Sequence, residues 1–160
     1  MVINRPKPGD HDVKIKVKYT GICHSDAHCG LNQWGGCRYP CVAGHEIAGI
    51  VDQVGSKVTK VKVGQPVGLG PILDSCMNCK NCKAGNENYC ENGLVETYDS
   101  SKKKRYKSHL GGNKDVHTFG GYSGSVVANE RFVVNVPQMM PLEKVGPIMC
   151  AGTTVYEPLK

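Results

Sequence analysis

Four cysteines fall within the run CMNCKNCKAGNENYC, from Cys76 to Cys90, and no other feature restricts the fold of this chain so strongly. The run holds almost no large apolar side chain, so burial in a local core does not explain its thiols. Cys76, Cys79, Cys82 and Cys90 follow the spacing C-x2-C-x2-C-x7-C, and the two-residue gaps let successive thiolates converge on one tetrahedral centre. Asn78, Asn81, Gly85 and Asn86 favour the tight turns such a loop needs. Lys80 and Lys83 offset part of the negative charge that four thiolates leave around one Zn²⁺. A closed four-cysteine set leaves no coordination position open, which marks a structural zinc site. A disulfide framework and an iron–sulfur cluster are the competing uses of the same thiols.

The competition turns on compartment. The opening MVINRPKPGDHD lacks the apolar stretch of a secretory signal and the Arg/Ser-rich, amphipathic character of a transit peptide, so a cytoplasmic, thiol-reducing setting is expected. There disulfides are uncommon and nine cysteines read as metal ligands, catalytic groups or buried thiols. No apolar run approaches the ~20 residues of a membrane span, so no membrane role is expected. A chain of 160 residues suffices for one modest core, and residues 1–160 are expected to form one domain.

A second, dispersed constellation comes from GICHSDAH, AGHEIAG and IMCAGTT. Cys23, His45 and Cys150 supply two thiolates and an imidazole, a set that leaves zinc a fourth position for water or substrate. Each alone has a plainer reading, since a single cysteine in an apolar run such as VGPIMCAG is usually a small core residue.

The stretch GHEIAGIVDQVGSKV carries the Gly-His-Glu, Gly49, Gly55 and Val58 spacing of the zinc-containing alcohol dehydrogenase signature. The chain resembles the medium-chain dehydrogenases, in particular their cinnamyl-alcohol-dehydrogenase-like branch, from RPKPGDHDV to CAGTTVYEPLK. The resemblance implies a mainly β, GroES-like irregular barrel with a few short helices and a zinc-binding loop at residues 76–90. It implies a zinc-dependent oxidoreductase that interconverts primary alcohols, cinnamyl type among them, and aldehydes with NADP or NAD. It implies two Zn²⁺, a catalytic ion on Cys23, His45 and Cys150 and a structural one on the four-cysteine loop, and homo-oligomers for full-length members. GQPV at Gly64–Val67 departs from the family's Gly-Asp-Arg-Val, and SSKKKRYKSHLGGNKDVH reads as an expanded loop.

No G-x-G-x-x-G follows a strand anywhere in the 160 residues, so the Rossmann domain of the family is expected outside this chain, with residues 141–160 opening the connection to it. The first residues match a part of the family that follows its first strands, so Met1 is expected to be internal to a longer sequence. Residue patterning agrees with a β-rich domain. DVKIKVKY alternates at period two, EIAGIVDQVG and RFVVNVP are short β-branched runs, and Gly and Pro punctuate them. Helices are expected after Cys23 and at PLEKVGPIMCAG, with Pro141 in its first turn.

Chemistry assigns further residues. Ser25 can accept the alcohol proton and His28, an imidazole able to exchange protons near neutral pH by its residue type, can pass it to water; the resemblance gives them these same roles. Asp26 is expected to orient the His45 imidazole. By resemblance Glu46 lies behind the zinc, His24 meets the cofactor pyrophosphate, Thr154 touches the nicotinamide, and Trp34 walls the alcohol pocket. Cys29, Cys37 and Cys41 receive no role beyond possible oxidation of the last two.

The formal charge of +6 raises the question of nucleic acid. Six ionised ligand cysteines subtract six and two Zn²⁺ return four, leaving +4, and the basic run Lys102–Lys107 has no aromatic stripe beside it to stack bases. A zinc-finger module is disfavoured for that reason and by the dispersed ligand set. The alternative that stands is a zinc-binding fragment without turnover, acting as a structural or binding module.

Overall fold

A computed structural model describes residues 2–100 and 117–160 of the chain. The basic run Lys102–Lys107 and residues 101–116 of the expected loop lie outside these. Strand β1 (Asp12–Gly21) buries Val13 and Ile15 and half-buries Val17, while Lys16 and Lys18 point to solvent, so the period-two pattern becomes one apolar and one charged face. It pairs antiparallel with β2 (Glu46–Val54), which pairs with β3 (Pro66–Leu69). A two-stranded ribbon follows, β4 (Ile72–Asp74) with β5 (Val95–Glu96). Strand β6 (Ser125–Asn129) joins the free edge of β1 and β7 (Val133–Asn135) that of β3, giving the order β6-β1-β2-β3-β7.

Register shifts at Lys14/Ile15 and Val17/Tyr19 interrupt the β1–β2 ladder, and such irregularities increase strand bend and twist. The sheet curls into a partly closed barrel, and β4 packs against β6 at its open side. The interior is β-branched: Val13, Ile15, Ile47, Val51, Val67, Val126 and Val133 are fully buried, each contributing about 1.5–3 kcal/mol by leaving water. The chain is therefore mainly β, an irregular, partly closed barrel with a few short helices, as its sequence leads one to expect.

Two departures are local. RFVVNVP becomes a strand only at Val133, because Asn129 Oδ1 accepts the Arg131 N–H at 3.0 Å and caps a 3₁₀ turn over Glu130–Phe132. Pro141 stands just before the C-terminal helical run rather than inside its first turn.

Helix α1 (His24–Gly30) follows β1, and α2 (Lys80–Lys83) lies in the four-cysteine loop. The C-terminal run begins with a 3₁₀ turn (Leu142–Lys144) and continues through α3 (Val145–Pro147), a π turn (Ile148–Gly152), α4 (Thr153–Tyr156) and a last 3₁₀ turn (Glu157–Leu159). It covers the outer face of β2, where Ala48, Val136 and Val145 form a second apolar cluster with Met140, Leu142 and Met149. That is why the first half of β2 is buried on both faces, unlike β1. The approach is close. A Cβ on Gly146 would lie 2.7 Å from the Glu46 carbonyl oxygen, and one on Gly68 only 2.4 Å from the Met149 sulfur. Among the described residues, no helix is long and apolar enough to cross a membrane.

Candidate metal centres

Three chain segments meet where this run crosses β2. Cys23 caps the start of α1, His45 immediately precedes β2, and Cys150 sits in the π turn. Cys23 Sγ lies 4.0 Å from Cys150 Sγ, and His45 Nε2 3.3 Å from Cys150 Sγ. Bonds of about 2.3 Å to sulfur and 2.0 Å to nitrogen around a tetrahedral zinc put ligand atoms about 3.5–3.8 Å apart, so this donor set fits that ion. Glu46 joins it: the candidate ligand atoms of Cys23, His45, Glu46 and Cys150 all lie within 4.8 Å of one another. Glu46 pairs with Gly21 in the β1–β2 register, and a Cβ at Gly21 would lie 2.0 Å from the Glu46 carboxylate. Glycine at 21 thus makes room for that side chain.

Asp26 ties the centre together. At the third position of α1 it accepts the Cys23 N–H (3.0 Å) and the Tyr122 hydroxyl (2.9 Å) on Oδ2. On Oδ1 it accepts the Gly44 N–H and His45 Nδ1–H, both at 3.0 Å. Burial opposes its ionisation, but these donors, His45 foremost, hold the carboxyl well below the usual carboxylate range. With Nδ1 engaged, Nε2 of His45 is the nitrogen turned to Cys150. Burial and the neighbouring Cys23 push the Cys150 thiol up to about 11, a shift that a bound cation inverts.

Ser25 Oγ lies 3.6 Å from Cys23 Sγ, and Ser25, His28, Trp34, His45, Tyr98 and Cys150 line a cleft of about 530 Å³. The His28 ring stacks near Trp34, with centroids 4.9 Å apart, and its Nδ1 meets Gln33 Oε1. Trp34 is 66% exposed, so it forms an open lip of the cleft rather than a core residue. His24 and Thr154 do not line the cleft. His24 is exposed with its ring 5.5 Å from His28, and the Thr154 hydroxyl donates to the Cys150 carbonyl at 3.0 Å. Sequence reading missed Tyr122 and Tyr98. The first holds Asp26, and the second places its ring 5.7 Å from His45. Tyr122 is 96 residues from Asp26 and no motif marks it.

The loop thiols also cluster, with Cys76, Cys79, Cys82 and Cys90 sulfurs all within 4.8 Å of one another and Cys76 Sγ 3.9 Å from Cys82 Sγ. This four-sulfur set fits a closed tetrahedral zinc. N–H donors converge on it: the Cys79 N–H and Asn92 Nδ2 each lie 3.3 Å from Cys76 Sγ. Burial pushes the Cys76 thiol up, but these donors overcome it and bring it to about 6. Cys82 is pushed up to about 12 by its burial. Lys80 pairs with Glu91 at 3.2 Å, and Arg131 of the barrel pairs with Glu87, tying the loop to the sheet.

Comparison with known proteins bears on the family and the fold. Residues 9–138 match the family described as alcohol dehydrogenase GroES-like domain. The chain is 48% identical over 160 residues to probable cinnamyl alcohol dehydrogenase 5 of Oryza sativa subsp. japonica, covering all of this chain and 42% of that protein. It is 46% identical over 159 residues to NADP-dependent alcohol dehydrogenase C 1 of Mycolicibacterium smegmatis, covering 99% of this chain and 43% of that protein. Among solved structures, a cinnamyl alcohol dehydrogenase from Sorghum bicolor superposes with a TM-score of 0.87 at 43% identity, over 98% of this chain and 42% of the other. That of Helicobacter pylori complexed with NADP(H) gives 0.83 at 42% identity, over 96% and 42%. The chain thus spans less than half the length of these relatives.

Proposed function

The chain belongs to the alcohol dehydrogenase GroES-like domain family, and from that premise we propose that it is the metal-bearing portion of a zinc-dependent dehydrogenase acting on primary alcohols and aldehydes of the cinnamyl type. The convergence of Cys23, His45 and Cys150 at the base of the Ser25–His28–Trp34 cleft carries this reading. The names of the rice and sorghum relatives favour an aromatic alcohol, and the mycobacterial and Helicobacter ones favour NADP over NAD.

Zinc held by Cys23, His45 and Cys150 supplies Lewis acidity that makes an alcohol hydroxyl acidic near neutral pH, and a nicotinamide dinucleotide held by a further domain supplies the hydride acceptor. The chain's own residues do the rest. Asp26 keeps His45 Nδ1 protonated and its Nε2 directed at the centre. The Ser25 hydroxyl, beside Cys23, receives the substrate proton, and His28 passes it to solvent at the cleft mouth. Trp34 presents an aromatic edge to the substrate, and buried Glu46 stands behind the ligands. The Cys76–Cys90 loop holds a second zinc in a structural role.

Joining the chain in frame to a family dinucleotide-binding domain tests this. The fusion should oxidise cinnamyl alcohol with NADP, lose at least about 10³-fold on Cys150→Ala, and lose about tenfold to a hundredfold on His28→Ala, a relay that water partly replaces. The 160-residue chain by itself should be inactive, lacking a proximity contribution of about 7–11 kcal/mol. A folded, zinc-loaded fusion without turnover, or robust turnover by the chain alone, would overturn the reading.

A further inference from the structure

A third thiol cluster stands apart from both centres. Cys29, at the end of α1, is 6% exposed, with its sulfur 3.0 Å from Cys37 Sγ and 3.7 Å from Cys41 Sγ. The three sulfurs lie within 4.8 Å of one another. A carboxylate adjoins one of them: Asp99 Oδ2 is 3.9 Å from Cys29 Sγ, just outside the compact set that the three sulfurs form. Its other oxygen is held by the Arg38 N–H at 3.2 Å and lies 3.8 Å from His117 Nδ1. The carboxylate is therefore oriented before any ligand arrives.

The loop that brings Cys37 and Cys41 to Cys29 is itself anchored. Asn32 Oδ1 accepts the Cys37 N–H at 2.9 Å, and the Tyr39 hydroxyl donates to the Gly30 carbonyl at 2.7 Å. Three clustered thiols, contributed by α1 and the 31–41 loop, give a soft donor set for a thiophilic divalent cation, and Asp99, from the segment after β5, is a carboxylate available beside Cys29 to complete it. A disulfide would use only two of the three clustered sulfurs.

We propose that Cys29, Cys37, Cys41 and Asp99 form a third metal site, for Zn²⁺ or another thiophilic divalent cation, that pins the 31–41 loop to the cleft wall. Binding requires loss of the thiol protons to solvent and a widening of the short Cys29–Cys37 contact toward the roughly 3.8 Å edge of a tetrahedral thiolate pair. The site shares one cleft with the dispersed centre, since Cys29, Cys37 and Asp99 line it together with His45 and Cys150. Its occupancy would fix Trp34, carried on the same loop. The proposal does not depend on the chain being a dehydrogenase.

The test titrates the reduced, metal-depleted chain with Zn²⁺, and separately with Cd²⁺, following bound metal per chain and the fluorescence of Trp34, the only tryptophan. Three equivalents should bind, with one of them accompanied by a change in Trp34 emission. The double variant Cys37→Ser, Cys41→Ser should bind two and show no such change. Should that variant fail to fold, Asp99→Asn replaces it and should weaken the Trp34-linked equivalent about tenfold or more while leaving the others unchanged. A stoichiometry that the double variant does not lower by one equivalent, or a Trp34-linked equivalent unaffected by Asp99→Asn, would each overturn the proposal.

Discussion

In the Cys76–Cys90 loop every candidate ligand is a near neighbour in sequence, whereas Cys23 and Cys150 are 127 residues apart and meet only once β1, β2 and the C-terminal run have packed. Both sites offer thiolates to the same ion, yet they depend on the fold in opposite senses. The loop closes short segments, at little entropic cost, and its Cys76 sulfur receives N–H groups from Cys79 within it and Asn92 just beyond it. The dispersed centre has only the short turn from Cys23 to Asp26 as a local contribution. It assembles from the contact of Gly146 with the Glu46 backbone and from the four hydrogen bonds on Asp26. On the proposed reading, the loop is a motif that metal would organise, and the dispersed centre is a product of tertiary packing that metal would then occupy.

The largest effects should separate the two. Cys76→Ser removes a ligand from a site whose metal binding is worth about 10–16 kcal/mol in comparable small motifs, so the loop should lose its ion and its hydrogen-exchange protection while the dispersed centre keeps its own. Gly146→Val should do the converse, because its Cβ would meet the Glu46 carbonyl at 2.7 Å and overpacking of this kind costs about 1–3 kcal/mol. Metal analysis of both variants checks this. Loss of both ions in either one would show that the sites are not independent.

A smaller effect refines the dispersed side. Asp26→Asn leaves the shape but removes the charge that receives His45 Nδ1–H, and metal affinity there should fall about 10- to 100-fold with no change at the loop. Competition with a chromophoric chelator reads both affinities in one titration. An equal fall at the loop would mean that Asp26 acts through general stability.

The smallest effect should touch neither site. Buried Glu130 accepts the Thr59 N–H at 2.8 Å, the Lys60 N–H at 3.0 Å and His11 at 3.2 Å. Burial raises its pKa, but these donors outweigh it and hold the carboxyl below its ordinary value of 4.5. A depressed folded-state pKa stabilises the fold above the unfolded value, and that stabilisation is lost as pH falls through the folded one. Glu130→Gln should therefore cost about 1 kcal/mol at neutral pH, and the difference from the parent chain should shrink on acidification in urea melts. A difference independent of pH would assign Glu130 a packing role only.

These contrasts also explain what could be read from the residues alone. The C-x2-C-x2-C spacing carries its own geometry, and so does the alternation of Val13, Ile15 and Val17 with lysines, because a short segment determines which atoms can meet. The spacing from Cys23 to His45 and Cys150 carries none, so residue type suggests the set and the family resemblance supports it. Tyr122 was invisible for the same reason. Cys29 was set aside although its close partners are 8 and 12 residues away, because the turns that fold the 31–41 loop back have no spacing signature. The strand expected from Arg131 began late because the Asn129 cap competes with the ladder at that point.

The π turn at Ile148–Gly152 works as a phase shifter in the C-terminal helical run. Each residue of an α-helix advances the side chain by about 100° around the axis, so a wide turn holding one extra residue rotates everything after it relative to everything before. The Thr153 hydroxyl donates to the Ile148 carbonyl, five residues back, at 3.3 Å and supports the widened register. Val145 and Met149, which seat the run on β2, are thereby decoupled in azimuth from exposed Val155, Tyr156 and Leu159. Closing the wide turn to an ordinary α turn with the same residues would rotate that second set by about 100° while leaving the seating residues where they are. The direction in which the run presents its outer face is thus adjustable separately from the position of Cys150.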